Sequence, residues 1–518
     1  FHLNIDFGSQ FTKSSFSVST KVPEISFNSD LKTLTPTCIA LQTSPNFNFN
    51  NTNSLTVKEA IKINTIIGKD AQKLMEYKPW AGSSFLSYYI GLRKNETNRI
   101  SRDLFVNASF AGLSTNDLTT LFLEKYINSI SQKKIVHSVS IVVPAIFTIP
   151  QRKEIELIVR ESGFDFQGTI DDTEAISSVY LTEKYGKFSN QPKTVLFIDI
   201  GATSIKSYCI KFEYTKNKIP QATTLSYSYK NEQGGAYLTK SLVLLIISKY
   251  NLTNINDAEY QRLFNAAEII KIKLTTEASV SYLINSINND ELKIQITLEE
   301  LETLMESLIQ QTIETAKNAS KDIKFNDIEI IGGSSRIPII LYSIQNALDV
   351  NYISCSLDSD HSLCVGASYN QQIKNGINQL TEFNIKTSFS PYNIIIRLSN
   401  NNNITICEQN KRCVDEITIE DKITHFDFIY QTSSSLLKFN SIRYKVETMP
   451  NTTLKIKFSQ SNPIYPISAK MCTKNGDDCK HITLKPLFDN KLFTSSSSLD
   501  AIKSSRLLKQ KIDESKNK

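Results

Sequence analysis

Three glycine-containing turns, each directly after an apolar run, constrain the fold of this chain more than any other feature. In chain order they are Ile5-Asp6-Phe7-Gly8-Ser9-Gln10, Phe197-Ile198-Asp199-Ile200-Gly201-Ala202-Thr203-Ser204 and Ile331-Gly332-Gly333-Ser334-Ser335-Arg336-Ile337-Pro338. Glycine at such a turn lets the backbone approach a phosphate or a nucleoside that a Cβ atom would block. The chain has only 16 glycines in 518 residues, so their concentration here is informative. One such turn alone would be an ordinary hairpin, but three in this order predict a nucleotide-binding fold.

The chemistry of the first two turns narrows the kind of fold. In each, an aspartate precedes the glycine by two residues, and we expect Asp6 and Asp199 to reach a magnesium ion through water. Neither G-x-x-x-x-G-K-[ST] nor G-x-G-x-x-G occurs in the chain. Their absence argues against a P-loop fold and against a dinucleotide-binding fold.

Composition excludes several classes of protein. A length of 518 residues allows two or three domains with full cores. The formal net charge of +6 is small and spread along the chain, so it gives no indication of nucleic-acid binding. The longest apolar stretch, Leu242–Ile247, is far too short to cross a bilayer. Because the chain starts at Phe1 without a methionine, we expect a missing N-terminal segment, for which a cleaved signal peptide is one candidate.

Four of the eight cysteines form two close pairs. Cys407 lies near Cys413, and Cys472 and Cys479 flank an Asn-Gly dipeptide, which is a strong hairpin signal. Neither spacing is the Cys-x-x-Cys pattern of a zinc knuckle. We predict a disulfide across each hairpin, with free thiols and zinc as the alternatives, and disulfides favour an oxidising compartment.

Hydrophobic periodicity divides the chain. Up to about Ile377, patterns of strands and helices alternate, for example a strand over Ser138–Val143 and a capped amphipathic helix over Leu298–Ser320. From Tyr392 to Pro486, short β-branched runs between Asn, Ser and Gly turns predict an all-β sandwich. Leu499–Lys518 is predicted to begin a charged helix with no partner face left to pack on, so we expect the natural protein to continue.

The order of the three turns, followed by a β-domain, resembles the 70-kDa heat-shock chaperone family. Further similar segments cover most of the chain and are Val143-Pro144-Ala145-Ile146-Phe147, Gln233-Gly234-Gly235, Glu268 with Lys271 and Thr275, and Asp360 ahead of Val365-Gly366-Ala367. The resemblance implies an α/β, actin-like ATPase domain whose two lobes clasp ATP or ADP with magnesium. The implied domains are a nucleotide-binding domain over 1–378, a linker over 379–391, a β-sandwich substrate-binding-like domain over 392–488 and the start of a C-terminal helical segment over 489–518.

The same resemblance implies a role for each turn. The first phosphate hairpin would comprise Asp6, Gly8, Ser9 and Gln10, and the second Gly201, Ala202, Thr203 and Ser204. The remaining nucleotide-binding positions would be Gly234, Gly235, Glu268, Lys271, Thr275, Gly332, Gly333, Ser334, Arg336 and Asp360. Spacing agrees for one trio, because positions i, i+3 and i+7 place Glu268, Lys271 and Thr275 on one helix face. An ordinary solvated face with a local ion pair is the alternative interpretation of that trio.

Departures from the family pattern narrow the resemblance. Active members carry a lysine that orients the attacking water where this chain has Ser87. Lys206 replaces an acid near the metal, where a cation would repel magnesium, and Asp171-Asp172 replaces an Asn-Glu pair. The catalytic set Asp199, Asp172 and Ser204 is therefore predicted to be degenerate. These departures resemble the large divergent branch of the family, in particular its endoplasmic-reticulum 170-kDa glucose-regulated, hypoxia up-regulated type.

The branch implies a function. The chain would be an ATP-binding nucleotide exchange factor and holdase in the endoplasmic-reticulum lumen, with weak or absent ATPase activity. Its partners would be the lumenal 70-kDa chaperone and unfolded polypeptides. Two alternatives stay open: an active ATP-hydrolysing peptide-binding chaperone, and a nucleotide-locked structural subunit of a larger assembly. The rate of turnover separates the first two, and stable co-purifying partners would identify the third.

Overall fold

The computed structural model of the chain describes residues 1–18, 22–43, 56, 60, 63–91, 112–130, 134–185, 191–375, 383–387, 389–431, 441–476, 478–488, 496 and 499–507. Parts of the predicted linker (379–391) and most of the predicted C-terminal segment (489–518) lie outside these residues. Among the described helices, each is too short or too polar to cross a lipid bilayer.

Strands and helices alternate in the first three quarters of the chain, and the described residues after them form strands and then one helix. The strands are β1 (His2–Phe7), β2 (Phe11–Ser17), β3 (Glu24–Ile25), β4 (Thr35–Pro36), β5 (Cys38–Gln42), β6 (Asn64–Ile67), β7 (Gly82–Ser84), β8 (Ser138–Val143), β9 (Asp165–Asp171), β10 (Lys193–Ile200), β11 (Ser204–Tyr214), β12 (Pro220–Asn231), β13 (Ser279–Ile287), β14 (Asp290–Thr297), β15 (Asp327–Ile331), β16 (Asn384–Thr387), β17 (Asn393–Leu398), β18 (Asn403–Cys407), β19 (Glu416–Ile419), β20 (His425–Gln431), β21 (Ser441–Lys445), β22 (Thr452–Phe458), β23 (Pro466–Thr473), β24 (Cys479–Ile482) and β25 (Lys485–Leu487). The helices are α1 (Gly68–Met75), α2 (Thr115–Ile130), α3 (Ile149–Glu161), α4 (Asp172–Tyr180), α5 (Gly235–Lys249), α6 (Asp257–Lys273), α7 (Leu298–Ala319), α8 (Pro338–Leu348) and α9 (Ser362–Lys374), followed by a C-terminal helix over residues 499–507.

Two sheets form the centres of two lobes, and both use the same local plan. The first has the order β3-β2-β1-β8-β9, with β4 on β2, and the second has the order β15-β10-β11-β12-β16. In the first, β1 pairs antiparallel with β2 and parallel with β8. In the second, β10 pairs antiparallel with β11 and parallel with β15. Each lobe therefore presents a hairpin from the middle of its sheet, and the two hairpins contain the first two glycine turns.

Local signals account for the ends of the long helices. The Thr297 hydroxyl accepts a hydrogen bond from the Glu300 N–H at 3.3 Å, and the Glu300 carboxylate accepts one from the Thr297 N–H at 2.9 Å. This capping box fixes the start of α7 where the sequence predicts it. Thr148 and Gln151 form the same box at the start of α3, which begins at Ile149 and has Gln151 as its third residue.

The all-β part is a sandwich of two sheets. Their orders are β18-β17-β20-β21-β25 and β19-β22-β23-β24. Alternate residues of the facing strands form its core, among them Ile394 and Ile396 from one sheet and Leu454 and Ile456 from the other. Disulfides join Cys407 to Cys413 and Cys472 to Cys479, the pairs that the sequence predicts. The second closes the hairpin of β23 and β24, whereas the first closes the connection between β18 and β19, which belong to different sheets. The α/β fold followed by a β-sandwich agrees with the fold class that the sequence predicts.

Two segments differ from the expectation. Part of the predicted linker is a strand, because β16 extends the second lobe's sheet by pairing in parallel with β12. The prediction that the C-terminal helix has no partner face is wrong. Leu499, Ala501 and Ile502 are buried in the core of the first lobe. Ion pairs of Lys503 with Glu161 and of Arg506 with Glu124 flank this contact.

The β-sandwich packs against the two lobes through one apolar core and a few polar contacts. Tyr227 of β12 lies in the same buried cluster as Tyr392 and Phe428 of the sandwich. The Asn462 amide donates hydrogen bonds to the Ala145 carbonyl at 2.9 Å and to the Asp171 carboxylate at 2.6 Å. Ala145 belongs to the segment Val143-Pro144-Ala145-Ile146-Phe147, so this segment contacts the sandwich directly.

Candidate functional site

A cavity of about 430 Å³ lies between the two lobes, and all three glycine turns line it. Most of the residues that the sequence predicts for the site meet there: Asp6, Gly8, Ser9, Gln10, Ser87, Asp172, Asp199, Gly201, Ala202, Thr203, Ser204, Glu268, Lys271, Thr275, Gly332, Gly333, Ser334, Arg336 and Asp360. Gly234 and Gly235 are outside this lining. They lie behind the second hairpin, where the Gly235 N–H donates to the Gly201 carbonyl at 3.0 Å.

The first hairpin carries an ion pair next to its turn. Asp6 of β1 and Lys13 of β2 are directly opposite each other, and the Lys13 Nζ is 3.2 Å from the Asp6 carboxylate. Burial alone would lower the pKa of Lys13, but Asp6 outweighs it and raises that pKa above its usual value. A Cβ atom on Gly8 would lie 2.5 Å from the Phe11 carbonyl oxygen, so only glycine fits this turn without a shift of the backbone.

The second hairpin repeats the pair with an additional carboxylate. Lys206 of β11 is opposite Asp199 of β10, and its Nζ is 2.8 Å from Asp199 and 3.4 Å from Asp172. Burial alone would lower the pKa of Lys206, but attraction to Asp199 and Asp172 outweighs it and raises that pKa above its ordinary range. The three charged groups are almost fully buried. Lys206 is therefore an ammonium held between two carboxylates at the edge of the cleft.

The Asp172 carboxylate, which the sequence places in a degenerate catalytic set, has its oxygens engaged by the protein. One oxygen accepts hydrogen bonds from the Ala145 N–H at 3.0 Å and the Thr173 N–H at 2.9 Å. The other accepts from the Tyr227 hydroxyl at 2.8 Å and faces Lys206. The preceding Asp171 points the other way and pairs with Arg152 at 2.7 Å. Asp172 therefore anchors the cleft wall.

Polar side chains connect the two hairpins across the cleft. The Thr203 hydroxyl donates to the Ser9 hydroxyl at 2.8 Å, which joins the second turn to the first. Gln10 of the first turn hydrogen-bonds to Glu268 of α6 in the second lobe. The lobes are thus joined by a hydroxyl–hydroxyl bond and an amide–carboxylate bond.

The third turn contributes an open surface. Gly332 has φ +91°, and a Cβ there would be 2.4 Å from the Ile200 carbonyl oxygen, so this glycine is required by the fold. A Cβ on Gly333 would meet nothing nearer than the Asp360 carboxylate at 4.0 Å. Arg336 pairs with Asp360 at the rim. Gly333 therefore leaves space in the cleft that a larger side chain would fill.

The trio on α6 differs in part from the prediction. The helix ends at Lys273, so Thr275 follows it and is not on the predicted helix face, although it still lines the cavity. The Lys271 Nζ donates to Glu268 at 2.7 Å and to the Gly235 carbonyl and the Thr239 hydroxyl at 2.9 Å each. These contacts use all three donors of the ammonium. Burial would raise the pKa of Glu268, but Lys271 outweighs it and lowers that pKa.

Ser87, which the resemblance places where active members carry a lysine, also faces the cleft. It belongs to a short 3-10 helix over Leu86–Tyr89 and lines the cavity. The adjacent Tyr88 hydroxyl lies 3.1 Å from the Tyr237 hydroxyl of α5. This wall of the cleft thus presents neutral hydroxyl groups.

The carboxylates present do not fit the predicted magnesium site. Asp6 pairs with Lys13, and Asp199 pairs with Lys206, so each predicted metal-side carboxylate already has an ammonium as its counter-ion. A hydrated dication beside Asp199 would lie close to the Lys206 charge, which repels it strongly where burial limits screening. Among the described residues, no cluster of three or more His, Cys, Asp or Glu side chains is arranged to hold a metal ion.

Sequence reasoning identified Lys206 as a departure but missed its symmetry with Lys13. In both hairpins a lysine follows the aspartate by seven residues, as Asp6-x-Gly8 to Lys13 and as Asp199-x-Gly201 to Lys206. In an antiparallel hairpin with this turn, that spacing places aspartate and lysine opposite each other. The repeated pattern was therefore visible in the sequence.

Comparisons with known proteins identify relatives of this chain. The family model described as Hsp70 protein matches residues 3–427. A heat shock protein homolog of Saccharomyces cerevisiae is 27% identical over 277 residues, which are 50% of this chain and 39% of the yeast protein. Heat shock protein hsp88 of Neurospora crassa is 25% identical over 291 residues, or 53% of this chain and 40% of that protein.

A human relative shows a similar match. Heat shock 70 kDa protein 4L of Homo sapiens is 25% identical over 281 residues, which are 51% of this chain and 32% of the human protein. The chain therefore matches about two fifths or less of the length of these curated relatives.

Proposed function

Because the chain belongs to the Hsp70 family, within a divergent branch of it, we propose that it binds an adenine nucleotide and acts as a regulatory, chaperone-like protein. Members of this family in general bind ATP or ADP with magnesium. The observation that carries the proposal is the cleft, where three glycine turns from two lobes line one cavity of about 430 Å³. Gly333 leaves open space that a nucleoside would occupy, and the phosphates would lie between the two hairpins.

Slow or absent hydrolysis is the second part of the proposal. Phosphoryl transfer depends on positioning the attacking water and on stabilising charge at the γ-phosphate. Ser87 offers a neutral hydroxyl to the cleft, the Asp172 oxygens are engaged by Ala145, Thr173, Tyr227 and Lys206, and Asp199 is paired with Lys206. Loss of one charged group at such a site costs about 3 kcal/mol, or on the order of a hundredfold in rate.

A regulator that stays clamped on its nucleotide can hold one conformation while a partner cycles. The proposed partner is a 70-kDa chaperone of the endoplasmic-reticulum lumen, whose nucleotide the chain would release, and unfolded polypeptides are the proposed second ligand. The disulfides of the β-sandwich support an oxidising compartment. Contact between the sandwich and the second lobe, through Tyr227 and Asn410 among others, supports a nucleotide-dependent conformation.

Single-turnover hydrolysis tests the enzymatic part. Purified chain in excess over labelled ATP should convert it far more slowly than an ordinary 70-kDa chaperone does. Restoring the lysine by Ser87→Lys should give only partial recovery, because the Lys206 and Asp172 departures remain. A rate equal to that of an ordinary chaperone would instead support the active, peptide-releasing enzyme.

Release of labelled ADP from the lumenal partner tests the regulatory part. The chain should accelerate release, and Gly333→Leu should abolish both nucleotide binding and acceleration, because its side chain enters open cleft space. Ser281→Leu on the exposed face of β13 is the matched control and should change neither. Acceleration that survives Gly333→Leu undiminished would contradict a mechanism that needs bound nucleotide.

The compartment has its own test. Peptide mapping without reductant, on protein taken from its native compartment, should recover Cys407 linked to Cys413 and Cys472 linked to Cys479. Closing such short loops stabilises the folded chain by roughly 2 kcal/mol in the chain-entropy model. Recovery of all four as free thiols would remove the support for an oxidising lumen.

A further inference from the structure

We propose that this cleft binds its nucleotide without magnesium, because the ammonium groups of Lys206 and Lys13 occupy the carboxylates that the metal would use and present N–H donors to the phosphates. The proposal rests on the nucleotide binding proposed above and deepens it by naming the ligand as a metal-free nucleoside di- or triphosphate. The starting point is the disagreement between the predicted magnesium site and the two ion pairs that the structure contains.

The two lysines occupy equivalent places in the two lobes. Each lies opposite an aspartate across an antiparallel pair of strands, directly after a glycine turn that lines the cavity. The Lys13 Nζ lies 3.6 Å from the place that a Cβ of Gly8 would occupy, so its ammonium is close to the turn. Because the hairpins approach each other through Thr203 and Ser9, both ammonium groups face one cleft.

Both ammonium groups keep donors for a ligand. A lysine ammonium has three N–H donors. Lys206 contacts Asp199 and Asp172, and Lys13 contacts Asp6, so these described ion pairs use two donors of the first and one of the second. Lys271 is different, since its three donors are used by Gly235, Thr239 and Glu268. The lysine N–H donors that can reach a phosphate therefore belong to Lys13 and Lys206.

The charges also favour an ammonium over a metal ion at this place. Asp199 and Asp172 flank Lys206 at 2.8 Å and 3.4 Å in a buried setting, where Coulomb attraction is stronger than in water. A magnesium ion held through water beside Asp199 would lie close to this ammonium, and the two positive charges would repel each other. The two lysines neutralise these carboxylates, and their remaining N–H donors can bind phosphate oxygens where a metal ion would otherwise lie.

The decisive experiment uses the unmodified chain. Equilibrium binding of labelled ADP is measured with magnesium and again with excess EDTA. The dissociation constant should change by less than about threefold between the two conditions, well under the tenfold that 1.4 kcal/mol represents. A loss of tenfold or more in EDTA would overturn the proposal and leave nucleotide binding intact. Absence of binding in both conditions would overturn nucleotide binding itself, and this proposal with it.

Variants of Lys206 assign the effect to its charge. Lys206→Met should weaken ADP binding in EDTA by about tenfold or more, and Lys206→Asp should make binding dependent on magnesium. Lys211→Met is the matched control, since Lys211 lies on the same strand, pairs with the surface residue Glu213 and is far more exposed. Thermal unfolding shows whether each variant is folded. If Lys206→Met does not fold, the EDTA comparison on the unmodified chain still decides. Folded Lys206→Met with unchanged affinity would contradict the assignment.

Discussion

The hairpin between β1 and β2 and the hairpin between β10 and β11 follow one plan but are fixed by different contacts. Among the described residues, Lys13 pairs with one carboxylate at 3.2 Å, whereas Lys206 lies between two, at 2.8 Å and 3.4 Å. The turns differ in the opposite direction. A Cβ atom on Gly8 would lie 2.5 Å from a backbone oxygen and one on Gly201 would lie 3.2 Å from one, so the first turn is the tighter of the two. The first hairpin therefore depends on its tight turn and the second on its buried charges.

Removal of the lysines gives the largest expected difference between the hairpins. Lys206→Met leaves Asp199 and Asp172 buried without their counter-ion, and breaking such a buried group of charges costs about 3–5 kcal/mol of unfolding free energy. Lys13→Met removes the partner of one carboxylate and should cost clearly less. Urea denaturation of both variants measures the two losses. Equal losses would show that the second carboxylate adds nothing.

Asp172→Asn sharpens the comparison by reducing the second hairpin to one carboxylate, as in the first. The amide places an NH2 group where either two backbone N–H groups or the Tyr227 hydroxyl and Lys206 now donate. Mismatch at a charged hydrogen-bonded group costs about 1.5–3 kcal/mol. Denaturant midpoints measure the loss, and Asp358→Asn, at an exposed carboxylate next to His361, is the control. No loss would mean that Lys206 is held by Asp199 alone.

Replacing the two turn glycines by alanine should destabilise the first hairpin more than the second, the opposite of what the lysine variants should do. Gly8→Ala forces the Phe11 carbonyl to move and should cost about 1–3 kcal/mol, the usual range for an added methyl group in a packed place. Gly201→Ala needs a shift of only a few tenths of an ångström and should cost less. Thermal unfolding of the two variants compares them. A larger loss at Gly201 would reverse our interpretation of the turns.

The hydrogen bond between Ser9 and Thr203 joins the two hairpins, and its removal should lower the unfolding free energy by less than the changes above. A double-mutant cycle with Ser9→Ala and Thr203→Val should give a coupling energy of about 0.5–1.5 kcal/mol, the net value of one hydrogen bond. Chemical unfolding of the two single variants and the double variant measures it. Additive losses would show that the hairpins are not held together by this bond.

The contribution of Lys206 to the unfolding free energy should hardly change with pH near neutrality. Attraction to the carboxylates, which exceeds the opposing effect of burial, raises the pKa of Lys206 in the folded chain. Its contribution is therefore fully present below the ordinary lysine pKa of about 10.4 and is lost only as the pH rises above that value. The difference in unfolding free energy between the unmodified chain and Lys206→Met should be constant from about pH 7 to about pH 9. A decline within this range would mean that Lys206 is not held as an ammonium.

Local signals in the sequence predicted much of the fold. β8 has the predicted bounds Ser138–Val143, and α7 begins at Leu298 because its capping residues act on their own backbone. The failures concern contacts between distant segments. The apolar residues Leu499 and Ile502 were visible, but no pattern near them shows that the first lobe has a surface open to receive them. The strand β16 was missed for the same reason, since its partner β12 is far away in the chain.

The sequence indicated which residues line the cavity but not the contacts that they make. Nearly every predicted residue lines the cavity, because the glycine turns mark where the backbone must approach a ligand. The sequence did not show that Lys271 uses its donors on the protein or that α6 ends before Thr275. It also predicted that Lys206 would repel a metal, but not that Asp172 and Asp199 would both hold it. Such partners depend on how three separate strands and a helix meet.

Asp171 and Asp172 join two distant parts of the molecule through a single peptide bond. The carboxylate of the first is held by Arg152 and by Asn462 of the β-sandwich, and that of the second by Lys206 at the cleft. A movement of the sandwich that withdrew Asn462 would remove one contact of Asp171, the residue next to the one that pairs with the cleft ammonium. By thermodynamic linkage, if docking of the sandwich changes the nucleotide affinity by some factor, bound nucleotide changes the docking equilibrium constant by the same factor. Nucleotide titration of Asn462→Ala measures that factor, and an unchanged affinity would show that the peptide bond transmits nothing.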